Sequence, residues 1–236
     1  MPTSPEGFIA RIDHLKRELV AQGRRVQTML EAAFEALFER SANRADWAIA
    51  QDDEVDLVDV RIEQHSVQLL TDATRQGAEL DATQLRTVLM VVKVNNELER
   101  AADVASDIAA RAKADATAAV VYPDTFRVMA NSVIGIVRDA NTAIARNDPA
   151  LAKIVLQSQH AVAAFKDAVL RDAEAKLATG HLRPDAAFLL HETANDCELI
   201  ADHCTNIAEQ VIYLTTGSIV RHTEANWVQL PQPPKE

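Results

Sequence analysis

The sequence has little of what marks secreted, membrane-spanning or disulfide-bonded chains. Among its 236 residues are only two cysteines, six glycines and eight prolines, and aromatic residues make up 4%. No run of residues approaches the roughly 18 apolar positions that a membrane-spanning helix requires. The first residues do not combine a basic region with an apolar stretch, as a secretory signal would. We therefore expect a cytoplasmic protein that does not insert into a membrane.

Motifs of the common catalytic chemistries are also missing. The sequence has no glycine-rich phosphate loop, no nucleophile elbow and no cysteine pair at zinc-binding spacing. Its histidines are scattered, and no Glu-x-x-His sequence of the di-iron type occurs. His203 is predicted to face solvent, while Cys197 and Cys204 are predicted to pack as small buried residues. These observations favour binding or regulation over catalysis.

Acidic residues outnumber basic ones. The chain has 35 Asp and Glu against 24 Lys and Arg, which gives a formal net charge of −11. A chain of this charge is poorly suited to bind nucleic acid or an anionic membrane surface directly, whereas metal cations and basic protein surfaces remain suitable ligands. The hydrophobic fraction of 48% is dominated by good helix formers, so the composition predicts an all-helical globule.

One stretch of sequence occurs twice. The first copy, residues 96–109, reads NELERAADVASDIA, and the second, residues 195–208, reads NDCELIADHCTNIA. Residues four apart share one face of a helix, so each copy has an acidic edge beside an apolar, core-facing arc. The offset between the copies is close to half the chain length. It therefore indicates two similar halves.

Helical periodicity and capping residues divide each half into three helices. Asp46 is the predicted N-cap of the second helix, Gly23 interrupts the first mildly, and Asp148 before Pro149 predicts the start of the fifth. Short links make neighbouring helices antiparallel. The predicted fold is all-α, with two tandem pseudo-symmetric three-helix bundles at residues 1–117 and 118–220. A loosely ordered tail is expected at residues 221–236.

The second predicted helix carries a strip of acids on one face, at spacings of four, three and four residues: Asp52, Asp56, Asp59 and Glu63. Like charges four residues apart destabilise a helix by roughly 0.2–0.5 kcal/mol per pair, so the strip needs an explanation. One explanation is a solvated acidic face. The other is a metal site shared with acids of the third helix, namely Glu99, Asp103 and Asp107. Carboxylate oxygens suit Mg²⁺, Mn²⁺, Ca²⁺ or iron.

The duplicated Glu-x-x-x-Asp followed by Asn or Asp, Ile and Ala, together with the ending EQVIYLTTG at residues 209–217, resembles the PhoU family of phosphate-signalling regulators. The resemblance extends from about Phe8 to Gly217. It implies the same fold, and clusters of iron or zinc held by the paired acidic motifs. The metal ligands it implies are Asp52, Asp56, Glu99 and Asp103, with Asp59 and Asp107 in support.

The resemblance also implies a biological role. Proteins of this family are cytoplasmic negative regulators of the phosphate-starvation response. They couple the high-affinity phosphate ABC transporter, through its ATPase, to the sensor histidine kinase of the phosphate regulon. Family members associate with one another, so a homodimer is expected.

The second half departs from the family pattern. Its fifth helix has no acidic strip, and the positions aligned with that strip hold Ser158, Ala161 and Phe165. Glu198 and Asp202 remain as candidate ligands. The sequence therefore predicts metal in the first half and little or none in the second. Two alternatives to a metal-binding regulator stay open, a carboxylate-bridged metalloenzyme and a plain helical scaffold.

Overall fold

A computed structural model of the chain describes residues 5–115, 120–223 and 226–229. In these residues six long helices follow one another, and they are α1 (Pro5–Glu39), α2 (Ala42–Gln76), α3 (Ala82–Asp115), α4 (Asp124–Arg146), α5 (Pro149–Ala178) and α6 (Pro184–Thr216). The predicted all-α fold is confirmed. The proposed boundary between residues 117 and 118 lies outside the described residues. None of the described helices holds a segment both long and apolar enough to cross a lipid bilayer.

The helices form two three-helix bundles that share one core. Helices α1, α2 and α3 pack together, as do α4, α5 and α6, and the bundles meet where α3 packs on α6 and α1 packs on α4. The buried apolar side chains of both bundles belong to a single cluster. Because the core is continuous across both contacts, the two halves of the chain support each other.

The structure confirms one of two predicted helix starts and contradicts the other. Asp148 caps α5 as expected, since its Oδ1 accepts hydrogen bonds from the backbone N–H groups of Ala150 and Leu151, both at 3.0 Å. The prediction for α2 is wrong, because this helix already begins after Ser41, whose backbone is extended. Asp46 instead lies within the helix and accepts a hydrogen bond from Lys113 of α3 at 2.6 Å.

Helix α3 begins with a reciprocal cap. The backbone N–H of Gln84 donates to Asp81 Oδ1 at 2.8 Å, and the backbone N–H of Asp81 donates to Gln84 Oε1 at 2.9 Å. Each side chain thereby satisfies a backbone donor that the first helical turn would leave unpaired. This cap fixes where α3 starts and thus the register of its acidic edge.

The contact between α3 and α6 holds polar groups as well as apolar ones. His203 Nδ1 lies 2.8 Å from Glu97 Oε2, and Asn206 donates to the same oxygen at 3.0 Å. Arg111 of α3 donates to Asp196 of α6, which is the repeat equivalent of Glu97. The prediction that His203 faces solvent is wrong, because α3 covers the ring and leaves the residue 7% exposed.

The chain after α6 continues as a two-stranded antiparallel hairpin, β1 (Val220–Thr223) paired with β2 (Asn226–Gln229). β-branched residues such as Val228 favour extended backbone. Arg221 also donates to the buried carboxylate of Glu209 on α6 at 2.6 Å. The hairpin accounts for the first residues of the tail predicted at 221–236, while residues 224–225 and 230–236 lie outside the described part of the chain.

Gly23 allows α1 to approach α4 closely. Asn141 of α4 is buried, and its Nδ2 donates to the backbone carbonyl of Gly23 at 2.7 Å. A Cβ atom at position 23 would lie 2.2 Å from Asn141 Oδ1. Helix α1 continues through Gly23 without a break, and this glycine lies at one of the contacts between the two bundles.

We expect Gly23→Ala to destabilise the protein by about 1–3 kcal/mol, since the added methyl group overpacks a buried contact. The free energy of unfolding from urea titration measures the loss. The matched control is Gly135→Ala in α4, where the nearest atom to the added Cβ would be Arg138 NH2 at 3.9 Å. The control should be neutral or stabilising by up to about 1 kcal/mol, because alanine favours a helix over glycine. Equal effects at both positions would contradict the close contact at Gly23.

Candidate metal centre

Helices α2 and α3 bring three predicted ligands together. Asp56, Glu99 and Asp103 each contribute an acidic oxygen, and these oxygens all lie within 4.8 Å of one another. In the part of the chain that the structure describes, this is the one group of three or more His, Cys, Asp or Glu side chains that meets this criterion. The two acidic edges of the first bundle therefore face each other, as the sequence predicted.

The acids in this cluster repel one another. Burial raises the pKa of Glu99, and the neighbouring carboxylates of Asp103, Asp59 and Asp56 raise it further. Burial also raises the pKa of Asp103, with Asp56 and Asp107 adding to the effect. A bound cation would replace this repulsion with attraction, because an opposite charge at short range favours the ionised form of a carboxyl group.

Asp52 lies beside the cluster but is not one of the three converging residues. Burial raises the pKa of Asp52, a hydrogen bond to Ser106 opposes that shift, and Asp103 and Asp56 add to it. Its Oδ1 atom is buried and has no hydrogen-bond partner. A buried carboxylate oxygen without a partner is costly, so this atom fits an environment that a cation completes.

Asp59 is held at the edge of the cluster by Asn95 of α3. The Nδ2 group of Asn95 donates to Asp59 Oδ1 at 2.6 Å and to the backbone carbonyl of Asp59 at 3.0 Å. Asn95 is 1% exposed, and its Oδ1 atom has no hydrogen-bond partner. Asn95 was not among the residues predicted from the sequence. The feature of the sequence that pointed to it is a polar residue within the apolar arc of α3, one turn before Glu99.

Asp107 is exposed and lies outside the converging group. Its charge raises the pKa of Asp103 on one side and of Asp196 on the other, so it stands between the cluster and the α3–α6 contact. Asp196 is itself bonded to Arg111. Asp107 therefore adds negative charge near the cluster without joining it.

The second bundle gives its acidic edge different neighbours. Lys166 of α5 donates to Glu198 Oε2 at 2.5 Å, and Gln159 of α5 donates to Asp202 Oδ1. The Lys166 ammonium and the Gln159 amide thus face the second copy of the motif. The first copy faces carboxylates of α2 instead. Glu198 and Asp202 do not form a converging group of the kind found at Asp56 among the described residues.

The cysteines take no part in either acidic edge. Cys197 and Cys204 are buried and free, as the sequence predicted. Burial raises the pKa of both thiols, and nearby carboxylates add to the shift. Both side chains therefore stay protonated at neutral pH and act as packing residues rather than thiolate ligands.

The ligand set of the first bundle consists of carboxylates alone. Oxygen donors of this kind suit hard and borderline cations, including Mg²⁺, Mn²⁺ and iron. The three converging acids and the partnerless oxygen of Asp52 together fit a bound cation. The arrangement does not by itself specify which metal binds.

Comparison with known protein families finds one match that spans most of the chain. A profile described as the PhoU domain matches residues 19–112 and 126–211. The first matched segment lies within α1 to α3, and the second lies within α4 to α6. The chain is therefore similar to this family in both bundles, while the C-terminal hairpin follows the matched region.

Individual relatives are similar over nearly their whole lengths. A phosphate-specific transport system accessory protein PhoU homolog from Aquifex aeolicus is 31% identical over 216 residues, which cover 89% of this chain and 94% of that protein. A homolog with the same description from Pseudomonas putida is 29% identical over 218 residues, which cover 91% of this chain and 83% of that protein.

Solved structures show the same arrangement of helices. The crystal structure of PhoU from Pseudomonas aeruginosa superposes with a TM-score of 0.83 at 26% identity, covering 89% of this chain and 99% of that one. The phosphate transport system regulatory protein PhoU from Streptococcus pneumoniae gives a TM-score of 0.82, covering 91% of this chain and 100% of that one. At 19% identity, the second similarity bears on the fold alone.

We expect Glu99→Gln to stabilise the metal-free protein at pH 7 by about 0.5 kcal/mol, the size of one relieved like-charge pair. The raised pKa of Glu99 means that the folded protein binds this proton more tightly than the unfolded chain does. Stability of the unsubstituted protein therefore falls as pH rises from the ordinary range of a glutamate carboxyl through the raised pKa. The gain from Glu99→Gln should be much smaller at pH 4, where the carboxyl group is largely protonated in both the folded and the unfolded state.

Urea titrations of chelator-treated protein at pH 7 and pH 4 measure this difference. A destabilising effect of Glu99→Gln at pH 7 would show that the cluster is not a site of net repulsion.

Proposed function

Because the chain belongs to the PhoU family, we propose that it is a negative regulator of the phosphate-starvation response. In this proposal it couples the high-affinity phosphate ABC transporter, through the transporter's ATPase, to the sensor histidine kinase of the phosphate regulon. It restrains both phosphate uptake and kinase output. The family match across both bundles carries the proposal. The names of its relatives, accessory proteins of phosphate-specific transport, support it.

The role we propose is regulatory rather than catalytic. We further propose that the protein acts in the cytoplasm, where the transporter ATPase and the kinase domain are accessible, and that it forms a homodimer. Nucleic acid is not among the proposed partners, because the net charge of −11 disfavours contact with phosphate backbones.

The outer face of α2 suits a helical, basic partner segment. Leu57, Val60 and Val67 are 67%, 51% and 58% exposed, and they lie beside the acids Asp56 and Glu63. A helix with one apolar face and flanking basic residues can place its apolar side chains on such a strip. The acidic border then favours Lys and Arg on the partner. This surface supports docking of a segment of the kinase or of the transporter ATPase.

We assign the regulatory metal to Asp56, Glu99 and Asp103, with Asp52 and Asp59 as adjacent ligands and Asp107 as an outer charge. Iron or zinc is the metal that the family resemblance implies, and Mg²⁺ or Mn²⁺ also suits the oxygen ligands. The acids belong to two helices, so binding a cation between them holds α2 against α3. When bound, the ion also supplies the positive charge that inorganic phosphate needs on this acidic surface.

We propose that the second bundle does without a metal. Lys166 and Gln159 already satisfy Glu198 and Asp202 from the facing helix. A cation would have to displace the Lys166 ammonium, whose side chain is only 19% exposed. Occupancy is therefore asymmetric, with the first bundle loaded and the second held together by its own side chains.

Metal content tests this asymmetry. We expect the triple variant Asp56→Asn, Glu99→Gln, Asp103→Asn to lose most of its bound metal, because three carboxylate ligands become neutral amides. The double variant Glu198→Gln, Asp202→Asn is the matched control and should keep the content of the unsubstituted protein. Elemental analysis after purification without chelator measures both. Equal losses in the two variants would contradict the assignment to the first bundle.

A transcriptional reporter for the phosphate-starvation response tests the regulatory role. Deletion of the gene that encodes the protein should raise reporter output in phosphate-replete cells. Expression of the unsubstituted chain should lower reporter output again. We expect the triple variant of the acidic cluster to lower it only in part. Circular dichroism should show that this variant remains helical. Normal reporter output in the deletion strain would refute the proposed function itself, whereas full restraint by the metal-free triple variant would refute only the role of the metal.

A further inference from the structure

Glu18 of α1 is surrounded by basic groups from two helices. His14 lies one turn before it on α1, while Arg61 and His65 approach from α2. The Glu18 side chain is 16% exposed, whereas those of His14 and His65 are 58% and 46% exposed. A largely buried carboxylate therefore lies beneath two accessible imidazoles. None of these residues belongs to the acidic cluster between α2 and α3.

The two oxygens of Glu18 have separate partners. Arg61 Nε lies 3.2 Å from Oε1. His14 Nδ1 lies 3.2 Å and His65 Nδ1 lies 3.3 Å from the other oxygen, Oε2. The guanidinium thus orients the carboxylate by one oxygen and leaves the second directed at both imidazoles. A basic partner on one oxygen orients a carboxylate whose other oxygen binds a metal.

The spacing of these atoms fits a shared ion. Bonds of about 2.0–2.1 Å in a tetrahedral zinc site put neighbouring ligand atoms about 3.4 Å apart. The two observed distances from Oε2 are close to that value. The ligand atoms of the three residues do not all lie within 4.8 Å of one another, so the two imidazole nitrogens must move closer together when an ion binds. Both histidine side chains are about half exposed, which gives each of them room for this change of rotamer.

We propose that His14, Glu18 and His65 form a binding site for a divalent transition-metal ion such as Zn²⁺. Two imidazoles and one carboxylate are a ligand set that zinc accepts, and the same donors also suit Co²⁺ and Ni²⁺. The histidines border an open cavity of about 460 Å³ that Arg11, Gln68 and Asp72 also line. Water or a small anionic ligand that enters this cavity would complete the coordination of the ion. The bound ion links α1 to α2.

This site differs in chemistry from the cluster of Asp56, Glu99 and Asp103, which contains no imidazole. The proposal does not depend on the regulatory function above. The positions of these residues in the sequence do not reveal that two histidines and an arginine surround one carboxylate.

Co²⁺ titration of the full-length chain tests the site, because tetrahedral Co²⁺ gives visible absorption bands. The background for the titration is the triple variant Asp56→Asn, Glu99→Gln, Asp103→Asn, so that the acidic cluster does not contribute to Co²⁺ binding. We expect Co²⁺ to bind this background, and His14→Ala or His65→Ala to weaken binding by at least about tenfold. The matched control is His160→Ala, which removes an exposed histidine from α5 and should leave Kd unchanged.

Thermal stability gives a second readout. Zn²⁺ should raise the Tm of the same background, because an ion that binds the folded chain stabilises it by mass action. The increase should vanish in His14→Ala and His65→Ala but persist in His160→Ala. Unchanged metal-free Tm values would show that the variants fold, as expected for exposed side chains. The proposal would be overturned if Co²⁺ affinity and the Zn²⁺-dependent rise in Tm were equal in all three variants. It would also be overturned if the background protein showed neither Co²⁺ binding nor a rise in Tm.

Discussion

Helix α3 packs against three other helices at once, and the rest of the structure depends on that contact. It lies against α1 and α2 within its bundle and against α6 across the bundle boundary. Small residues such as Ala102, Ala105 and Ala109 are fully buried along it, which allows close approach of its neighbours. Little of its circumference remains for polar side chains. The acids of α3 are therefore confined to narrow edges beside particular neighbours.

Those neighbours give three glutamates of the repeated motifs different electrostatic environments. Burial alone would raise the pKa of Glu97, but hydrogen bonds from His203 and Asn206 outweigh it and leave the pKa below its ordinary value. Burial raises the pKa of Glu99, two residues along, and the carboxylates that it faces raise it further. Glu198, the repeat equivalent of Glu99, is paired with a lysine. One motif thus contributes to an interface, to a cluster of carboxylates or to a salt bridge, according to what lies opposite.

The same principle explains how duplicated bundles acquire different charge patterns. The two copies keep the core-facing arc of α3 and α6, because a change there would disturb the shared core. Their facing helices are freer to diverge, since an acidic strip in α2 and the Lys166–Gln159 pair in α5 are both compatible with packing. An asymmetric protein can therefore retain pseudo-symmetric architecture. Its charge pattern then distinguishes one bundle from the other.

The sequence by itself determined the six helices, the duplication, the family resemblance and the acidic edges that meet at Asp56, Glu99 and Asp103. These features follow from periodicity, which specifies where a side chain lies around its own helix axis. The structure alone decided which helix lies opposite. It buried His203, set Asn95 against Asp59 and brought His14 and His65 to one carboxylate. Such contacts join residues distant in sequence, and a helical period contains no information about the neighbour it will face.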